Sequence, residues 1–160
     1  VLRKMDQPTS KPDVVVDIVG AQFYWQYTLP KYNVTMVDDG TGETALVLPV
    51  DKIVYMTGTS HQVNHAWWVP SFGVKFDVIP GRQNYSWFTT EQEGFFKGQC
   101  AELCGTLHAY MLIHVEVVPE KEFYQWLHEN DAEFPIEERD KVRRYLGEET
   151  ADEIYEGLSA

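Results

Sequence analysis

A chain of 160 residues with 44% hydrophobic and 14% aromatic side chains carries enough apolar surface for one packed domain, so a disordered segment is excluded. Its formal charge of −12, from 25 acidic against 13 basic residues, excludes nucleic acid as a natural partner and favours a cation or a basic protein. No run reaches the roughly 18 apolar residues of a membrane span, and the opening "VLRKMDQPTSKPD" has no signal-peptide core.

In chain order, a polar lead-in over residues 1–12 gives way to "DVVVDIVG" (13–20), whose alternation and valine content predict a strand. "QFYWQYTL" (22–29) predicts a second, with Phe23, Trp25 and Tyr27 on one face and Tyr24 on the other. "DDGTGET" (38–44) is a turn cluster. Further strands are expected at "ALVLPV" (45–50), "KIVYMTGT" (52–59), "NYSWFTT" (84–90), "GFFKGQ" (94–99) and "MLIHVEVV" (111–118). Short strands at this spacing point to an antiparallel sandwich or barrel, an all-β class.

The period changes at Pro119, after which Phe123, Trp126 and Leu127 fall at i, i+3 and i+4, as in a helix opened by proline. "PIEERDKVRRYLGEE" and "TADEIYEGL" also read as helical, with Leu146-Gly147 as the stop between them. Residues 129–160 hold 11 acidic and 4 basic side chains, so this last fifth carries −7 of the −12. The expected organisation is a lead-in (1–12), a β sandwich (13–118) and a short acidic helical extension (119–160).

Both cysteines lie in "GQCAELCGTLHAYM" (98–111), where Cys100, Cys104, His108 and Met111 follow one another at spacings of four, four and three. A disulfide, or two buried thiols beside an incidental histidine and methionine, is the plain alternative to a metal site. Convergence of four soft or borderline donors on one loop between two strands favours metal. Zinc suits two cysteines and two histidines, but a structural zinc has no use for the thioether, whereas copper takes a weak axial methionine. A mononuclear blue-copper site uses a single cysteine, so the second thiolate points to a binuclear centre. One more nitrogen ligand is then needed. His65, in "SHQVNHAWWVPSFGVKFDVIPGRQN" (60–84), is the leading candidate; His61 stands four residues away, His114 falls within a predicted strand and His128 on a predicted helix.

"HAWWVPSFGVKFDVIPGR" followed by "GQCAELCGTLHAYM" resembles the extracytoplasmic domain of cytochrome c oxidase subunit II, and the likeness extends back through "LVLPVDK" and "QFYWQY" to cover residues 13–118. The resemblance implies a cupredoxin-like Greek-key β sandwich holding the binuclear copper centre CuA. By motif, Cys100 and Cys104 would bridge both coppers and His65 and His108 would each bind one. Met111 and the backbone carbonyl of Glu102 would be the weak ligands, and the Glu102 carboxylate would hold magnesium at the boundary with subunit I, as suits a hard cation. Asp77 and Arg82 would face subunit I. No residue would be catalytic: the domain would be a relay, taking electrons from a soluble carrier, cytochrome c or a small copper protein, and passing them to haem in subunit I of a proton-pumping oxidase. The implied place is the extracytoplasmic face of a respiratory membrane, reached through an anchor not contained in this chain.

The copper domain of nitrous oxide reductase and copper-free quinol-oxidase relatives fit less well, since the "WVPSFGVKFDVIPGR" segment and the full ligand set favour subunit II. No C-x-x-C-H occurs, so no covalent haem is expected. Two departures bear on the donor. Phe23 stands where the family has the tryptophan through which electrons enter, leaving Trp25 as the nearest indole, and Gln62 stands where an acid is common. From these an aromatic contact at Trp25 and Phe23, with salt dependence set mainly by the acidic extension, is expected.

Overall fold

Buried valine and isoleucine at alternate positions make β1 (Val14–Ala21), which pairs antiparallel with β2 (Tyr24–Leu29). The computed structural model describes residue 8 and residues 10–157; the lead-in over 1–12 falls mostly outside the described residues. β3 (Val34–Asp38) adds to the free edge of β2, and on the other side β5 (Ile53–Ser60) and β8 (Asn84–Thr89) complete a sheet ordered β3-β2-β1-β5-β8. The second sheet is ordered β4-β10-β9-β6-β7 and contains β4 (Leu46–Pro49), β6 (His65–Val69), β7 (Val74–Val78), β9 (Gly94–Cys100) and β10 (Leu112–Val118). Trp25, Tyr27, Leu29, Met56, Trp67 and Ile113 fill the space between the sheets. Each such side chain contributes roughly 1.5–3 kcal/mol by its burial.

The expected cupredoxin-like two-sheet sandwich is present, with three corrections to the strand reading. The sheets are mixed rather than antiparallel, because β1 runs parallel to β5 and β4 parallel to β10. The chain crosses from one sheet to the other at β4 and returns at β5, and such crossovers permit parallel neighbours that hairpins cannot make. Secondly, β2 starts at Tyr24, so Phe23 belongs to the turn and the buried row is Trp25, Tyr27 and Leu29. Thirdly, β3, β6 and β7 form where no strand is predicted. β3 and β7 are short but alternate covered with exposed positions, whereas in β6 four of five residues are buried and no period of two shows.

β10 runs from one pole of the sandwich to the other, and its far end leads straight into α1 (Glu120–Glu129). Phe123, Tyr124 and Leu127 of α1 join the same buried cluster as the sheets, as do Phe134, Val142 of α2 (Arg139–Leu146), and Ala151 and Tyr155 of α3 (Glu148–Glu156). Gly147, at φ 93°, turns the chain between α2 and α3. Glu138 fastens this helical segment to the sandwich: its buried carboxylate accepts hydrogen bonds from Lys31, from the Tyr32 hydroxyl at 2.9 Å and from the Tyr124 hydroxyl at 2.8 Å. Burial alone would raise its pKa, but these donors outweigh it and hold the carboxyl below its ordinary value. Among the described residues no helix is long and apolar enough to cross a membrane.

Candidate metal centre

The site lies at the pole opposite the helices, where β9 ends and β10 begins. Cys100 is the last residue of β9, aligned with Trp67 of β6, and its N–H donates to the Met111 carbonyl at 3.0 Å. That bond closes the mouth of the 101–111 loop, while Ala101 N–H donates to Ala66 O at 2.9 Å and ties the loop to β6. A single 3₁₀ turn, His108–Tyr110, brings the chain back. His65 opens β6, aligned with Val78 of β7, so a strand fixes its backbone.

The side chains converge. Cys100 Sγ lies 3.9 Å from Cys104 Sγ, far beyond the roughly 2.05 Å of a disulfide, and both thiols are free and buried. Each sulfur has its own imidazole: Cys100 Sγ is 3.7 Å from His65 Nδ1, and Cys104 Sγ is 3.4 Å from His108 Nδ1. Two weaker donors complete the set, with Met111 Sδ 3.8 Å from Cys104 Sγ and the Glu102 carbonyl 3.2 Å from Cys100 Sγ. The ligand atoms of His65, Cys100 and Cys104 all fall within 4.8 Å of one another. The Glu102 side chain is exposed, so the residue presents its carbonyl inward and its carboxylate to the surface.

Burial keeps His65 neutral, lowering its pKa, with the nearby His108 adding to the effect; its ring nitrogen is therefore available as a ligand. The Cys104 thiol is pushed up to about 12 by burial and then by Cys100 beside it. In the metal-free chain it stays protonated, and a metal must displace that proton to bind. Two thiol sulfurs side by side, each flanked by one imidazole and one weaker donor, could hold copper. A tetrahedral zinc would leave the methionine sulfur and the carbonyl without a role.

The histidines separate cleanly. His61 is exposed in the turn before β6 and lies outside the cluster. His114 is buried with its Nδ1 3.1 Å from Asp38, and His128 is exposed on α1. Asp77 is exposed on β7 opposite Ala66, one residue from His65, and Arg82 is exposed in the turn that follows; no ion pair joins the two. Trp25 requires a correction. It is 0% exposed, packed edge-on against His65 with ring centroids 5.8 Å apart, so it cannot be a surface contact. Phe23 is half-buried, and its ring lies directly over Gly105 of the loop.

Sequence reasoning missed the rim of the site. Leu103, Leu107 and Tyr110 are exposed by 79%, 48% and 70%, an apolar collar around the buried sulfurs. The available signal was three large apolar residues interleaved with the ligands on a loop too tightly constrained to bury them.

Residues 14–118 match the family described as cytochrome c oxidase subunit II, periplasmic domain. Cytochrome c oxidase subunit 2 of Cereibacter sphaeroides is 37% identical over 153 residues, taking in 76% of this chain and 50% of the relative. The subunit 2 of Myxine glutinosa is 36% identical over 143 residues, with 79% of this chain and 62% of the relative covered. The chain thus spans about half to three fifths of the length of these curated relatives. Among solved structures, the periplasmic domain of subunit II of cytochrome oxidase from Bradyrhizobium japonicum superposes with a TM-score of 0.71 at 36% identity, covering 77% of this chain and 96% of that one.

Proposed function

Because this chain belongs to the cytochrome c oxidase subunit II family, as its periplasmic domain, we propose that it is the electron-relay domain of a haem–copper oxidase and holds a binuclear copper centre. One observation carries the reading: two unpaired, buried cysteine sulfurs 3.9 Å apart, each with a histidine nitrogen within 3.7 Å. Cys100 and Cys104 would hold the copper centre through their thiolates, His65 and His108 through a ring nitrogen each, and Met111 and the Glu102 carbonyl as weak donors. When bound, a thiolate-bridged copper pair supplies a one-electron store with its charge spread over both metals.

The chain contributes stiffness and dryness. Cys100 sits on a strand, His65 opens another, and Met111 is pinned by the Cys100 N–H, so these ligands move little when charge changes. Burial of His65, Cys100, Cys104 and Met111 excludes water, which lowers the solvent rearrangement accompanying each electron. Every donor comes from the chain itself. The centre passes electrons on.

A soluble carrier, a cytochrome c or a small copper protein, docks on the collar of Leu103, Leu107 and Tyr110, with Phe23 beside it. Such an apolar, aromatic patch suits brief contact with a redox partner. Electrons leave towards haem in subunit I, faced by Asp77 and Arg82. The exposed Glu102 carboxylate, joined through its own backbone to the copper ligand set, holds magnesium at that boundary. The domain stands on the extracytoplasmic side of the membrane.

Three substitutions test the assignment. His65→Ala should abolish the copper-pair spectrum, while His61→Ala, on the exposed turn nearby, should leave it unchanged; the reverse pattern would overturn the ligand set. Glu102→Gln keeps the carbonyl and should preserve that spectrum, yet in an assembled oxidase it should weaken manganese(II) binding at the magnesium position by about tenfold or more. Undiminished manganese binding, read by its paramagnetic signal, would remove the carboxylate from that role.

A further inference from the structure

The β1–β2 connection makes a contact that the ligand set does not use. Gln22 Nε2 donates to the backbone carbonyl of Cys104 at 2.7 Å, in partly buried surroundings and across 82 residues of sequence. Beside it, Gly105 has φ 138°, and a Cβ there would lie 3.0 Å from both Gln22 Nε2 and the Phe23 ring. Only glycine lets the connection lie this close on the loop. The same connection also backs the other histidine side: a Cβ on Gly20 would lie 2.9 Å from His65 Cδ2, and Trp25 packs on the His65 ring.

Residues 20–25 therefore touch the centre from two directions, through Gly20 and Trp25 at His65 and through Gln22 and Phe23 at Cys104–Gly105. The two sulfurs differ in how they are held. Cys100 belongs to the β9 ladder, with its N–H bonded to Met111 and the next residue bonded to Ala66. Cys104 lies midway along the loop, four residues from Cys100 and four from His108, so side-chain contacts decide where its backbone sits.

We infer that Gln22 is a positioning residue that straps the loop at the Cys104 carbonyl and so keeps Cys104 Sγ within reach of both Cys100 Sγ and His108 Nδ1. The strap belongs to the chain itself and exists before any metal binds; only its effect on metal retention rests on the copper reading. Both thiols are almost wholly buried, at 3% and 4% exposure, so a reagent reaches Cys104 by way of loop opening. The rate of attack then reports how often the loop opens.

The test compares Gln22→Met, which keeps length but removes the donor, with Gln22→Glu, which keeps shape but puts an acceptor against the carbonyl. In the reduced, metal-free chain, alkylation by iodoacetamide should rise about threefold to tenfold in both variants, the weight of one neutral hydrogen bond. Mass spectrometry should find Cys104 labelled ahead of Cys100. Copper loss from the loaded chain to a chelator should quicken by a similar factor, while Tm moves by a few degrees at most. Wild-type rates in both variants, or equal labelling of the two cysteines together with a large fall in Tm, would overturn the inference. Should one variant fail to fold, the other decides. Should the unsubstituted chain take up no copper pair, the copper reading falls alone, and the alkylation result still decides the role of Gln22.

Discussion

Serine in place of either Cys100 or Cys104 is expected to abolish the shared-electron copper centre completely, the largest effect that a one-atom change can have in this chain. The two sulfurs are not equivalent in what they leave behind. Without Cys100, Cys104 keeps its contacts with His108 and Met111, at 3.4 and 3.8 Å, half a site of the one-thiolate, one-thioether kind. Without Cys104, Cys100 keeps only His65 at 3.7 Å and the Glu102 carbonyl at 3.2 Å. Neither half can bridge two ions, since a serine hydroxyl is a far poorer bridge for copper than a thiolate. Copper content should fall to one ion per chain or none, and the paramagnetic spectrum should localise on one ion. Two coppers and an unchanged spectrum in either variant would contradict the bridging role.

The second large effect is at the other pole. Read from the sequence, residues 129–160 are an acidic extension whose removal would chiefly flatten the salt dependence of electron transfer. The structure gives them a different part. Phe134, Val142, Ala151 and Tyr155 belong to the buried cluster that also holds Phe123 and Tyr124, and Glu138 is the shared acceptor for Tyr32, Tyr124 and Lys31. At roughly 1.5–3 kcal/mol for each large apolar side chain, their loss consumes much of the 5–15 kcal/mol that keeps a domain folded. Truncation after residue 130 should therefore lower Tm by more than about 10 °C or end cooperative unfolding. A Tm within a few degrees of the full chain would show the helices to be dispensable.

Glu138 adds a pH signature. Its folded-state pKa lies below the unfolded value of about 4.3, so its contribution is complete above that value and is lost as pH falls through the folded one. Glu138→Gln should remove that acid-side loss and cost about 1–3 kcal/mol at neutral pH. The expected salt behaviour also changes. β10 separates the helices from the metal pole by about 20 Å at ~3.3 Å per residue, more than two Debye lengths at physiological salt. Neutralising the exposed Glu149 and Glu153 should thus leave the salt dependence of electron transfer nearly unaltered.

What could be read from residues alone follows from how local each signal is. The four donors from Cys100 to Met111 sit on one loop, and alternating valines announce β1, so both were legible. His65 needed the family motif to separate it from His61, because the separation is made by β6, a strand too uniformly buried to show a period. Trp25 looked like a surface indole because alternation tells which residues share a face but not which face is covered; the second sheet covers that one. The Gln22 bond to Cys104 joins positions 82 apart and leaves no trace in either local pattern. The place of the helices was hidden for a related reason, since their acidic outer faces dominate the composition while a few aromatic residues anchor them.

The central claim is that Cys100, Cys104, His65 and His108 together hold two copper ions, and metal analysis with paramagnetic resonance after copper loading under reducing conditions tests it most directly. The expected result is two coppers per chain, a purple protein, and one unpaired electron shared equally between both ions. A single copper with a blue-copper spectrum, or zinc retained in preference to copper, would contradict it.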